Sequence, residues 1–317
     1  MINRITPPPS ILGLVFRLGL HIYRILPFPI KNELWRLIDN KRYRLRKEII
    51  RCFKNKLKNN PDEEIQEIYN YLLCNYLTWS PYNFRKMYKP ENITVYTDND
   101  CNMKYVLHDN KRLYFCRNWN NIKIQIYYNG LLIQEDKKSP HRYEFGQFCV
   151  NKNDIVADIG AAEGIFALSI VEKAQKIYLF ECEDVWIDAL QMTFAPWKEK
   201  IVIINKYISD TNENNCITLD AFLNGNEINF IKADIEGAEL SLLTGAKDVL
   251  STQDNLRIVL CTYHKQNDEQ ELKQVLIKYG FYTEYSKGYM IPYWDKELAP
   301  PYLRRGVIRA IKNRNNI

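Results

Sequence analysis

Residues 156–168 read VADIGAAEGIFAL: an apolar run, an acid, a loop of small residues, then a helical pattern. Glycine and alanine at the end of a strand let a cofactor approach backbone N–H groups closely. A dinucleotide fingerprint, G-x-G-x-x-G, wants Gly or Ala third and a small residue sixth. The loop Gly160-Ala161-Ala162-Glu163-Gly164 offers Ala162 third but Ile165 sixth. The stretch therefore predicts a strand–loop–helix unit of nucleotide-binding type and fits NAD poorly.

The same rhythm continues on the C-terminal side. DIVADIG leads into a helix over 165–173, KIYLFE into one over 184–194, and IVIIN forms a third strand. INFIKAD precedes a helix over 238–250, LRIVLCTY precedes one over 268–279, and two closing strands flank Ser286–Gly288. Near-continuous apolar strands alternating with helices predict an α/β fold whose mostly parallel, doubly wound sheet is covered on both faces. Upstream, helical patterns occupy 10–26, 31–58 and 62–78. Residues 101–135 read as strands of a small meander, turning at Asp109-Asn110 and Asn129-Gly130. The expected organisation is a basic, mainly helical region over 1–100, a meander and lead-in over 101–150, and a cofactor-binding domain over 151–317.

Composition narrows the function. Eight cysteines are scattered without a C-x-x-C pair, which argues against a zinc site or a disulfide framework and fits a reducing cytoplasm. Of the net charge of +6, residues 1–60 carry 14 Lys+Arg against Glu33, Asp39 and Glu48, or +11, leaving −5 for the rest. The apolar run 11–30 is interrupted by Arg17, His21 and Arg24 at i, i+4 and i+7. That is one polar stripe of an amphipathic helix, and neither a secretory signal nor a membrane span. Such an arm fits peripheral contact with an anionic membrane through residues 10–58; the alternative is a helical cap or subunit surface whose charge is solvated.

Three further groups of residues point to chemistry. Asp158 precedes the loop glycine, where it would meet a cationic cofactor end, and Glu181 ends the next strand, where a carboxylate can accept both ribose hydroxyls. The pair with a G-x-x-x-G loop favours S-adenosylmethionine over NAD. FIKADIEGAE crowds Lys232, Asp234, Glu236 and Glu239 at the end of the fourth strand, expensive unless a network or a cation satisfies them. His264 in CTYHKQND follows the fifth strand at the same sheet edge, placed to take a proton from an alcohol. Asp268 in DEQE reads as a helix cap.

DIGAAEGIFAL, LFECE, SD, ITLD, FIKADIEGAE, CTYHKQND and GF at 280–281, in this order, resemble the FkbM-type methyltransferases over roughly residues 150–290. The resemblance implies a seven-stranded class I methyltransferase fold and an S-adenosylmethionine-dependent O-methyltransferase acting on a small-molecule or glycan hydroxyl. It implies Asp158, Gly160, Ala161 and Gly164 in the cofactor loop, Glu181 on the ribose, Asp234 against the cofactor as well, and Asp234, Glu236 and His264 toward the acceptor. Cys182 departs from the proline that many relatives carry there. His141, Arg142 and Tyr143 in SPHRYEF, with Lys232, are candidate acceptor contacts. His264 is the first expected base and Asp234 the second; no metal is required, although Asp234 with a neighbour could hold one. The acid-rich edge argues against nucleic acid as a partner. The rival readings are an NAD-dependent oxidoreductase and a non-catalytic binding module.

Overall fold

Two caps organise the first helices of the computed structural model, which describes residues 26–312. The expected helix over 10–26 lies, but for Leu26, outside the described residues. Helix α1 (Phe28–Ile38) starts behind Pro27, whose fixed φ suits a helix entrance. Asp39 then breaks the pattern and caps α2 (Asn40–Asn59), its side chain accepting from Arg42 N at 3.1 Å. The single helix expected over 31–58 is therefore two. Asp62 caps α3 (Glu63–Cys74) in the same way, accepting from Ile65 N at 3.0 Å.

These helices and residues 288–304 form one compact unit. Trp35, Ile49, Phe53, Ile65, Ile68 and Leu72 fill its interior. Buried Arg46 donates to the carbonyls of Leu72, Leu73 and Asn75, satisfying groups that the end of α3 leaves without intrahelical partners. Gly288 N donates to Glu64, and Ile291 N to Trp79 O, so residues 288–304 join this unit instead of the domain expected over 151–317.

The second unit comprises residues 88–287 and the chain from 305 onward. Strands β1 (Tyr96–Thr97), β2 (Lys104–His108) and β3 (Lys111–Tyr114) form an antiparallel meander. Its β2–β3 turn holds Asp109 and Asn110 at φ 48° and 62°, the two-residue turn read from the sequence. The second strand pair expected around Asn129-Gly130 is instead helix α4 (Asn121–Gln134), capped by Asn120. Ile124, Tyr127, Tyr128 and Leu131 recur at helical spacing and are buried, while Gly130 meets nothing within 4 Å. Burial of that stripe outweighs the strand propensity of Ile and Tyr and the turn preference of Asn-Gly.

The main sheet follows. It comprises β4 (Ile155–Ile159), β5 (Lys176–Phe180), β6 (Ile201–Ile204), β9 (Phe230–Ala233), β10 (Leu256–Cys261), β11 (Tyr282–Tyr285) and β12 (Val307–Lys312), with the short parallel pair β7 (Tyr207–Ile208) and β8 (Cys216–Ile217) outside it. The order is β11-β12-β10-β9-β4-β5-β6, with β12 alone antiparallel to its neighbours. The closing hairpin expected around Ser286–Gly288 does not form. β11 pairs with β12 from the RRGVIRAIK tail, across an intervening segment that belongs to the other unit. Ile231, Ile258, Leu260, Leu272, Leu276 and Ile308 are buried in its core.

Strand order reverses direction between β4 and β9, so their carboxyl ends flank a switch-point crevice. Helices α5 (Ile165–Ile170), α6 (Asp184–Phe194) and α8 (Glu239–Thr244) start from this edge, α10 (Asp268–Lys278) follows β10, and α7 (Leu219–Leu223) and α9 (Lys247–Thr252) lie between them in the chain. Asp268 is the first residue of α10, and its carboxylate accepts from Lys265 N at 2.7 Å, closing the turn before the helix.

Candidate active site at the switch point

The loop after β4 is held by backbone strain that glycine relieves. Gly160 sits at φ 75°, and a Cβ there would stand 2.1 Å from Asp234 O. Gly164 sits at φ 84° against Leu190 and Phe194 of α6. Ala162, at φ 47°, keeps the turn despite carrying a Cβ, and its N–H donates to Glu181 Oε2 at 2.7 Å. Glu181 Oε1 accepts from Glu183 N at 2.7 Å. The carboxylate thus ties the two loops, its pKa raised by burial against these two N–H bonds. Ala161 is buried within the same loop, its N–H bonded to Phe180 O.

Asp158 is not at the surface of the crevice. It is fully buried, directly opposite Lys232 in the β4–β9 register, and Lys232 Nζ lies 2.9 Å from its Oδ1. The same ammonium donates to Gly160 O at 2.7 Å. Burial raises the Asp158 pKa and Lys232 opposes it. The expected contact between Asp158 and a cationic cofactor end is therefore replaced by an internal ion pair that braces the loop from below. Lys232, expected to touch the acceptor, is the other half of that brace.

Asp234 gathers the most donors. Tyr143 Oη donates to its Oδ2 at 2.9 Å and Tyr263 Oη to its Oδ1 at 3.0 Å. His141 Nε2 stands 3.5 Å from Oδ2 and His264 Nε2 3.3 Å from Oδ1. Burial pushes the carboxyl up, but the hydrogen bonds and charges of the two histidines hold it well below the usual carboxylate range. His264 Nδ1 in turn faces Glu239 Oε1 at 2.8 Å, and Glu239 is 0% exposed. Burial works against the imidazolium, yet Glu239 and Asp234 push its pKa up to about 10.

An imidazole with a carboxylate at each nitrogen is protonated near neutral pH and is not a free base. The expectation that His264 takes the acceptor's proton gives way to a different role, a cation that holds Asp234 ionised. Asp234 with Glu239 and His264, and Asp234 with His141 and Cys261, also bring one ligand atom each within 4.8 Å. The contacts above already engage all of these groups except Cys261.

His141 and Tyr143 reach Asp234 because their segment is strapped down. Arg309 on β12 donates to Tyr143 O at 3.0 Å, and a Cβ on Gly306 would stand 2.0 Å from Pro140 O. Arg142 points elsewhere, donating to Glu144 O and Glu135 O. Glu236 is exposed in a left-handed turn at φ 57°, and its charge acts on Tyr263 of the buried set. Sequence reading missed Tyr263, Glu239 as a buried partner, Glu163 and Tyr127. Tyr127 Oη donates to Glu163 Oε2 at 2.6 Å, and burial brings Glu163 to about 7 against that bond. The adjacency of Tyr263 to His264 was a usable signal; nothing local announced Tyr127, which lies 36 residues from its partner.

A seven-stranded sheet in this order, with a glycine-bounded loop, a following acid and an ionised cluster across the switch point, defines a class I methyltransferase fold of Rossmann-like type. Residues 158–290 match the methyltransferase FkbM domain, and this segment belongs to that family. Among solved structures, the chain is similar to methyltransferase FkbM from Methylobacillus flagellatus KT, with 16% identity, a TM-score of 0.45, and 83% of this chain and 58% of that chain covered. The chain thus spans less than two thirds of that relative. It is also similar to an rRNA methylase from Streptococcus thermophilus, at 14% identity and TM-score 0.35, covering 52% of this chain and 90% of that one. No curated protein matches the sequence.

Proposed function

We propose that the protein is an S-adenosylmethionine-dependent O-methyltransferase whose acceptor is a hydroxyl, of a sugar in a glycan or lipid-linked glycan. The single observation that carries the reading is the Asp234 cluster, which faces the Gly160 loop across the switch point and is ready to orient a hydroxyl. The residues fit the cofactor at one end: Glu181, fixed by two N–H donors, has lone pairs remaining for a ribose diol. Bound there, S-adenosylmethionine supplies an electrophilic sulfonium methyl.

The chain's own residues do the rest. Lys232 and Asp158 fix the loop, and Tyr143 and Tyr263 orient Asp234 for an incoming hydroxyl. Holding reactants in line at about 3–3.5 Å supplies most of the acceleration. A hydroxyl gaining a methyl becomes far more acidic, so a carboxylate held ionised suffices as its proton acceptor. Asp234, the second choice from sequence, becomes the first.

Calorimetry with S-adenosylhomocysteine and NAD in parallel separates the readings. Binding of S-adenosylhomocysteine alone is expected; binding of NAD alone supports the oxidoreductase, and binding of neither supports a non-catalytic module. Gly160→Ala is expected to weaken S-adenosylhomocysteine binding at least about tenfold, or about 1.4 kcal/mol, because its Cβ collides with Asp234 O. Unchanged affinity would remove the loop from the cofactor site. Transfer of labelled methyl into fractionated glycans and lipids identifies the acceptor.

A further inference from the structure

Helix α2 carries a row of cations that pair with no carboxylate among the described residues; one of them, Lys47, also lies over the Tyr43 ring at 4.6 Å. Lys41, Arg44, Lys47, Arg51, Lys54 and Lys58 recur at spacings of three and four, so they share one face along about 25 Å of helix. All six are exposed, while Tyr43, Arg46, Ile49 and Phe53 form the opposite, buried face. Among the described residues, none of the six forms an ion pair, and Glu48 is the only acid in the helix. The preceding helix carries exposed apolar side chains. On α1, Ile30, Leu34, Leu37 and Ile38 lie within one arc of about 100°, and Leu37 and Ile38 are 73% and 70% exposed. The two rows meet at the Asp39 corner, where Leu37, Ile38 and Lys41 fall within five residues.

We infer that this corner is a docking surface for an anionic lipid bilayer, with the α2 cations on the headgroups and Leu37 and Ile38 in the interfacial region. The pairing of charge with exposed aliphatic side chains decides the partner. A polyanion such as RNA matches the charge but leaves two large aliphatic groups in water and, among the described residues of α1 and α2, finds no exposed aromatic row to stack on. No described helix is long and apolar enough to cross a membrane, so the contact is peripheral. The inference stands apart from the reaction assigned to the other unit.

Flotation of the full chain with phosphatidylcholine vesicles, with and without phosphatidylglycerol, tests it. Binding is expected only to the anionic vesicles and should weaken with salt. Lys41→Glu, Arg44→Glu and Arg51→Glu together should lower it about a hundredfold, near 1 kcal/mol for each cation. Leu37→Ser with Ile38→Ser should weaken the binding that survives at high salt. Circular dichroism and an unchanged melting temperature establish that both variants fold, since every altered side chain is exposed. Absence of binding to anionic vesicles overturns the proposal, as does binding that the triple substitution leaves intact. Tighter, vesicle-excluding binding to poly(U) overturns it in favour of a nucleic-acid surface.

Discussion

Lys232→Met is expected to lower the unfolding free energy by about 3–5 kcal/mol, the cost of stranding one half of a buried ion pair. Asp158 is fully buried, and Lys232 Nζ is its charge partner at 2.9 Å. With methionine in place, Asp158 must stay ionised without that partner or bind a proton, and Gly160 O loses a donor as well. Urea unfolding of Lys232→Met, Asp158→Asn and the double variant measures this. The double variant should recover part of the loss, because it removes both charges together. Additive losses would mean that the two groups do not act as a pair.

His264→Gln should destabilise the protein by about 3 kcal/mol or more near pH 6, and the deficit should shrink as pH rises. The sign follows from linkage: the His264 pKa is raised from 6.5 to about 10 on folding. Its stabilisation is fully present below pH 6.5 and is lost as pH climbs through about 10. A deficit independent of pH would show that the imidazolium between Asp234 and Glu239 contributes no charge interaction. Turnover separates positioning from base catalysis in the same range. A base would lose activity as pH falls through its pKa, whereas a cationic strut keeps activity there and fails toward pH 10. Loss of wild-type activity centred near pH 6.5 would restore His264 as the base.

The parallel part of the sheet was legible because buried strands are short, apolar and separated by helical spacing, a pattern that does not depend on remote partners. The loop was legible too, since Gly160 and Gly164 mark positions where a Cβ meets Asp234 O or Phe194. Less local features misled. Helix α4 hid behind strand-forming residues and an Asn-Gly pair, and the stripe of Ile124, Tyr127, Tyr128 and Leu131 gained its meaning only from burial. β12 was not legible, because an antiparallel strand that returns after a long excursion carries no turn beside it. Arg309, which straps the Tyr143 segment, was invisible for the same reason.

Sequence alone determined the class of fold, the edge of the sheet that carries the candidate site and the acidic residues gathered there, because period, loop composition and chain order are local properties. Only the tertiary structure decided what those acids do. Asp158 and His264 were both read as groups facing a ligand; one is paired with Lys232 and the other lies between Asp234 and Glu239. A side chain's charge state depends on neighbours that the fold brings from distant strands, and a buried charge is governed by its nearest opposite charge more than by its place in a motif.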